Sequence, residues 1–187
     1  LGLGRVSVLG HGLGGAIGLT LAAGHSELVQ RLILEDALCY PAAMSFRNRL
    51  PLVPILGGIF FKQLYGRALF RSWFRDEVFG PGTPLPIERV DAYYDAFNSP
   101  SARESALAVM RAALDTRPVV ARLSRVTTPT LVIWGRDDRL YPVAAAARLA
   151  RELPHAKLEI MDAGHAPHED KAREFIALLT EFLEGKR

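Results

Sequence analysis

The sequence predicts an α/β fold in which parallel strands alternate with helices and one long helical segment interrupts the series. Three observations carry that prediction. The stretch RVSVLGHGLGGAIGLT at 5–20 is a short apolar run that breaks into a glycine cluster and resumes at helical spacing, which reads as strand, tight turn, helix. Two later apolar runs of strand length, TLVIWG at 130–135 and KLEIM at 157–161, flank a helical pattern. Between 38 and 124 no strand alternation appears at all.

Taken in order, Val6, Val8 and Leu9 form a run too short for a helix and dense enough for a strand at 5–10 buried on both faces. Ala16, Ile17, Leu19, Leu21 and Ala22 then predict a helix over 13–24, apolar most of the way round, as expected of one packed on a central sheet. Gly10, Gly12, Gly14 and Gly15 lie where the chain must reverse sharply. RLILED predicts a strand at 30–35, and the length of the connection makes it parallel to the first. From 38 to 124 prolines, arginines and scattered aromatics predict short helical pieces, clearest at 90–97 and at 99–115, where Ser99 and Pro100 take the cap and first-turn positions. The sheet pattern then returns with strands at 130–135 and 157–161, a helix introduced by Pro142 between them, and a final amphipathic helix over EDKAREFIALLTEFL. The four strands are expected side by side in sequence order, with 38–124 over their carboxyl ends.

Composition bounds the function. The 187 residues, 49% hydrophobic, can bury a real core. A net charge of +3 is spread over mixed signs, which argues for a solvated surface and against a nucleic-acid partner. The single cysteine, Cys39, excludes an internal disulfide and a cysteine metal cage, and reads as a buried apolar residue. LPLVPILGGIFF at 50–61 is too short and too interrupted to span a bilayer, and no secretory leader pattern is present, so a cytoplasmic location is expected.

Two motifs compete for the glycine turn. Gly10, Gly12 and Gly15 spell GxGxxG after a strand, and Glu35 follows at the spacing of a dinucleotide site. The same residues match a nucleophile elbow, GxSxG, with Gly12 in place of the serine. The helical stretch after Glu35 counts against the first, because a doubly wound dinucleotide domain would return to a strand there. Two loops after the late strands hold the remaining chemistry: WGRDDRLYP with Asp137 and Asp138, and DAGHAPHED with Gly164 and His165. Parallel strands converge their carboxyl ends on one edge, so Gly12, Asp138 and His165 should meet there. The other candidates have duller readings: His11 as packing beside the turn, His168 as a surface or cap residue, Asp137 as a turn former, and Asp36 as an alternative acid. His25 and His155 carry no signal.

The segments GHGLGGAIGLTLAAGHSELVQRLILEDA, PTLVIWGRDDRLYPV and AGHAPHED resemble, in order and spacing, the elbow, acid and histidine segments of the α/β-hydrolase superfamily, and the match corresponds to its C-terminal two-thirds. The resemblance implies an α/β-hydrolase fold with a partial parallel sheet and flanking helices, a core of 1–37 and 125–187, and a helical cap insertion at 38–124. It implies Gly12 at the nucleophile position, Asp138 as the acid, His165 as the base and the Leu13 amide as an oxyanion donor. No cofactor and no metal are implied, and the substrate or ligand would be a small ester or a related acyl or carbon–carbon compound held under the cap; the oligomeric state stays open. The chain departs from the pattern at Gly12, which has no hydroxyl for covalent attack. A degenerate hydrolase acting as a small-molecule binding module is therefore the alternative, with a dinucleotide-binding oxidoreductase more remote. The resemblance also implies strands and an oxyanion loop ahead of the elbow strand, so the expectation is an incomplete chain whose first strand has an open apolar edge.

Overall fold

β1 (Val6–His11), α1 (Leu13–Gly24) and β2 (Val29–Glu35) open the chain as a parallel βαβ unit, and β3 (Thr130–Gly135) and β4 (Ala156–Met161) complete a four-stranded parallel sheet in the order β1-β2-β3-β4. The structure is a computed structural model and describes residues 4–41 and 44–186; positions 1–3 and 187, the outer ends of the expected core segments, and 42–43, within the expected insertion, lie outside them. Register follows from alternation. On β2 and β3, Leu32, Leu34, Val132 and Trp134 face one side, where they pack with Leu19 and Ala22 of α1 and with Ala146 and Leu149 of the helix that joins β3 to β4. Ile33, Leu131 and Ile133 face the other side, against Phe175 and Phe182 of the last helix. Every residue of β3 is buried, as a central parallel strand requires.

Between β2 and β3 the described residues hold helices and turns but no strand. The helices are α2 (Phe46–Arg49), α3 (Leu56–Ile59), α4 (Arg67–Trp73), α5 (Ile87–Phe97), α6 (Pro100–Ala112) and α7 (Arg117–Val120), with π-helical turns at Phe60–Leu64 and Phe74–Val78. The Ser99 hydroxyl accepts the Ala102 amide at 3.1 Å, so α6 starts at the capping serine and first-turn proline. After β3 come α8 (Val143–Glu152), α9 (Pro167–Asp170) and α10 (Ala172–Leu183).

Two expectations need correction. β1 is not buried on both faces: it lies at one edge of the sheet with Leu9 45% exposed, and Ile17 on α1 is 62% exposed, because among the described residues no element covers that flank. The final helix is not continuous either. Lys171, at φ −135°, separates α9 from α10. The Asp170 carboxylate accepts the amides of Gly80 and Gly164, both at 2.7 Å, and this tertiary contact holds α9 out of line with α10.

The helical segment has its own core, in which Phe61, Tyr65, Phe70 and Phe97 form an aromatic cluster. Arg103 is buried beside it without a carboxylate. Its guanidinium donates to the carbonyls of Phe61, Lys62 and Tyr65 at 2.9, 3.1 and 2.9 Å, to the Tyr94 hydroxyl at 3.0 Å and to Asn98 Oδ1 at 2.7 Å. A buried cation is tolerable here because the planar fork reaches five neutral acceptors at once, three of them on or next to the π-helical turn. Arg103→Met would leave those acceptors unpaired. The expected loss is about 3 kcal/mol of stability in urea denaturation, and Arg103→Lys should recover little of it, since an ammonium offers only three donors from a single point; a neutral outcome for Arg103→Met would show that the fork is not what closes this segment.

Candidate active site

β1 runs into α1 through Gly12, whose backbone sits at φ +53° and ψ −117°, a region that disfavours any residue with a Cβ. The turn is tight enough that a Cβ on Gly10 would run into the Gly14 carbonyl and one on Gly15 into the Ala37 side chain. Three backbone hydrogen bonds lock it: the Gly12 amide donates to the Glu35 carbonyl at 3.0 Å, and the Gly12 carbonyl accepts from Gly15 and Leu38 at 3.0 and 2.8 Å. The Leu13 amide opens α1 and, as at any helix start, has no intrahelical acceptor.

The carboxyl ends of β3 and β4 bring the other two groups to the same edge. The loops after these strands are stitched together by Arg136 and Asp137 amides donating to the Met161 and Ala163 carbonyls at 2.8 and 3.0 Å. Trp134 Nε1 donates to the Tyr141 carbonyl at 3.0 Å and steadies the first loop. This turns Asp138 inward, while Asp137 is exposed. Asp138 Oδ1 accepts the Leu140 and Tyr141 amides at 2.8 and 2.9 Å, and its Oδ2 accepts from His165 Nδ1 at 3.0 Å. The carboxylate fixes the tautomer: with Nδ1 carrying the proton, Nε2 presents a lone pair. A Cβ built on Gly12 would lie 3.6 Å from that Nε2. Gly12, Asp138 and His165 are thus brought together, and the His165 amide donates to the Val78 carbonyl at 2.7 Å, tying the site to the helical segment.

Residues read as bland from sequence have definite partners here. His11 Nε2 donates to the His165 carbonyl at 2.7 Å, and burial above all pushes its pKa down, so it stays neutral beside the other histidines. Glu35 is buried, and its Oε1 accepts both the amide and the Nδ1–H of His168, at 2.9 and 2.7 Å; that bond is what raises the His168 pKa. Glu35 is therefore spent inside the protein, and the chain enters helices rather than a strand after it, which removes the dinucleotide reading. Neither pairing was visible in the sequence, because residues 154 and 133 apart meet only through the parallel sheet.

Asp36, the alternative acid, lies beside Asp138 without taking its place. It makes no hydrogen bond to the His165 ring. Fully buried at φ +42°, it accepts the Gly135 amide on Oδ1 at 2.9 Å. Burial first, and then the Asp138 charge, hold its carboxyl well above the usual carboxylate range. A neutral carboxyl is therefore favoured at Asp36, and its otherwise unpartnered Oδ2 can carry the proton toward Asp138. Donor atoms of Asp36, Asp138 and His165 lie within 4.8 Å of one another, but a cation among them would have to displace the Nδ1–H···Oδ2 bond.

A strand–tight turn–helix with a left-handed central residue, followed by an inward acid and a histidine on the loops after the last two strands, defines the α/β-hydrolase class of site. Residues 1–178 match the family model described as "Alpha/beta hydrolase family", and the chain belongs to that family. It is 32% identical over 192 residues, covering 100% of this chain and 70% of the other, to the protein of Pseudomonas savastanoi pv. phaseolicola named "Putative carbamate hydrolase RutD". Among solved structures, a membrane phospholipase A described as a bacterial virulence factor superposes at TM-score 0.75 with 27% identity, over 98% of this chain and 58% of that one. The 2-hydroxy-6-oxo-6-phenylhexa-2,4-dienoate hydrolase BphD of Rhodococcus sp. strain RHA1 superposes at TM-score 0.79 with 22% identity, over 98% and 65%. This chain thus spans little more than half to two-thirds of those two structures, and their likeness speaks to the fold. No helix among the described residues is long and apolar enough to cross a membrane.

The proton on Asp36 has a measurable consequence. An unfolded aspartate ionises near about pH 4, whereas folded Asp36 keeps its proton, so its contribution to stability declines as pH rises above that value. Asn at this position retains a carbonyl for Gly135 and an N–H for Asp138, and it tolerates a positive φ. Asp36→Asn should raise the Tm relative to the native chain at neutral pH by more than it does near about pH 4. A difference in Tm that is flat with pH would mean that Asp36 is ionised in the folded protein.

Proposed function

We propose that this chain carries a hydrolase-type site for small ester or related acyl or carbon–carbon substrates, with 1–37 and 125–187 as its core and 38–124 as the cap over the substrate. Asp138 takes the role of orienting acid and His165 that of general base, and the Leu13 amide faces the developing oxyanion. The observation that carries this reading is the relay from the Leu140 and Tyr141 amides through Asp138 to His165 Nδ1, which leaves Nε2 aimed at the Cα of Gly12. The printed name of one similar protein, "Putative carbamate hydrolase RutD", supports an electrophilic carbonyl as the substrate class.

The covalent half of the usual chemistry is missing. Gly12 offers no hydroxyl, and loss of a serine nucleophile costs about a million-fold in turnover, or about 8 kcal/mol of barrier. No acyl-enzyme can form at this position. Gly12 therefore favours a second reading, a degenerate hydrolase that binds an acyl ligand and does not turn it over.

The first test is occupancy. Titration of the native chain with butyrate, the acid product of a butyrate ester, should move the amide resonances of Gly12 and Leu13 and the ring resonances of His165 saturably, with no such effect on His25 or His155. With p-nitrophenyl butyrate the native chain should show no burst, whereas Gly12→Ser should gain an acyl adduct by intact mass, its hydroxyl lying within reach of Nε2. Absence of both the butyrate shifts and the adduct would overturn the assignment of this edge as an acyl site.

A further inference from the structure

The glycine does more than delete a nucleophile. His165 is held at 8% side-chain exposure, with Nδ1 engaged and no hydrogen-bond partner on Nε2 among the described residues. Apart from its two chain neighbours, the described residues place only His165 Nε2 and Cε1 within 4 Å of a Cβ built on Gly12, at 3.6 and 4.0 Å. The space a side chain would take is thus open, 3.6 Å from the Nε2 lone pair, next to the Leu13 amide, which has no intrahelical acceptor.

We propose that this space seats a water molecule and that the chain hydrolyses activated small esters by direct attack of that water, with His165 as general base and no covalent intermediate. The inference rests on the acyl-site reading above. In the step, the water oxygen bonds to the ester carbonyl carbon as one water proton passes to His165 Nε2. The carbonyl π pair moves onto its oxygen, which the Leu13 amide faces. Collapse re-forms the carbonyl and breaks the bond to the leaving oxygen. That oxygen takes the proton from Nε2, or departs as a phenolate while the proton goes to solvent. The products are a carboxylic acid and an alcohol or phenol, and His165 returns to its neutral form. Asp138 stays ionised throughout and stabilises the imidazolium formed midway.

Glycine suits this role where alanine would not. A methyl group at 3.6 Å from Nε2 would occupy the place of the water and offer no proton, so the small residue and the open lone pair act together.

The experiment measures p-nitrophenyl butyrate hydrolysis by the native chain, His165→Gln and Gly12→Ala, with circular dichroism for fold and butyrate titration for site occupancy. The native chain should release p-nitrophenolate linearly from the first turnover, more slowly in D₂O, and without mass increase of the protein. His165→Gln should lower the site-specific rate by about a hundred-fold or more, the range of general-base catalysis. Gly12→Ala should fall to the same level. Should alanine at a positive φ prevent folding, His165→Gln, which leaves the turn untouched, together with the isotope effect still decides the matter. Hydrolysis that is indifferent to His165→Gln and shows no isotope effect overturns the water mechanism. If butyrate still perturbs Gly12, Leu13 and His165 in that case, the acyl-site reading stands and only the mechanism falls; if those shifts are absent as well, both fall.

Discussion

The left-handed turn at Gly12 is the constraint on which the rest of the structure depends. Its amide and carbonyl bond to the carbonyl of Glu35 and to the amides of Gly15 and Leu38, so a single residue joins the end of β1, the start of α1 and the exit from β2. A side chain could sit there only at a cost in backbone strain, which in an elbow is met by a reactive hydroxyl. In this chain the strain is absent, because glycine adopts φ +53° freely, and the geometry persists without that hydroxyl.

Three carboxyl groups, Glu35, Asp36 and Asp138, lie buried within a few residues of strand ends, and the protein gives each a different proton arrangement. Glu35 accepts the amide and the ring N–H of His168. Asp138 accepts two backbone amides and the His165 ring N–H. Asp36, between them, keeps its proton, since burial beside another carboxylate makes a further charge too costly. Backbone amides, histidine rings and burial thus give the three acids different surroundings.

The helical segment is joined to this edge through backbone rather than through side chains alone. Val78 accepts the His165 amide, and the amides of Gly80 and Gly164 share one oxygen of Asp170. Gly164 packs so closely on Val78–Gly80 that a Cβ there would strike their backbone. Further contacts run from α5 to α9, where Arg89 pairs with Glu169 and the Tyr93 hydroxyl donates to Glu169 at 2.7 Å. A displacement of the 78–80 strap would therefore be felt at the His165 backbone, which also receives the His11 ring.

The sequence by itself determined the strand positions and their parallel order, because apolar runs of strand length separated by helical periods admit few other solutions. It also determined the capped start of α6 and the sharp turn at Gly12, since serine, proline and glycine act through their own backbone and neighbours. The tertiary structure decided everything that depends on residues distant in sequence. Asp138 rather than Asp137 was already the expected acid, but the bonds that turn it inward, from the Asp137 amide to Ala163 and from the Leu140 and Tyr141 amides to Asp138, join residues that only the folded loops bring together. The exposure of Leu9 and Ile17, the break at Lys171, the Glu35–His168 pair and the proton on Asp36 have the same origin. Each is set by what packs across the sheet or fails to, and by how far burial removes a charge from water, neither of which a local pattern of residue types contains.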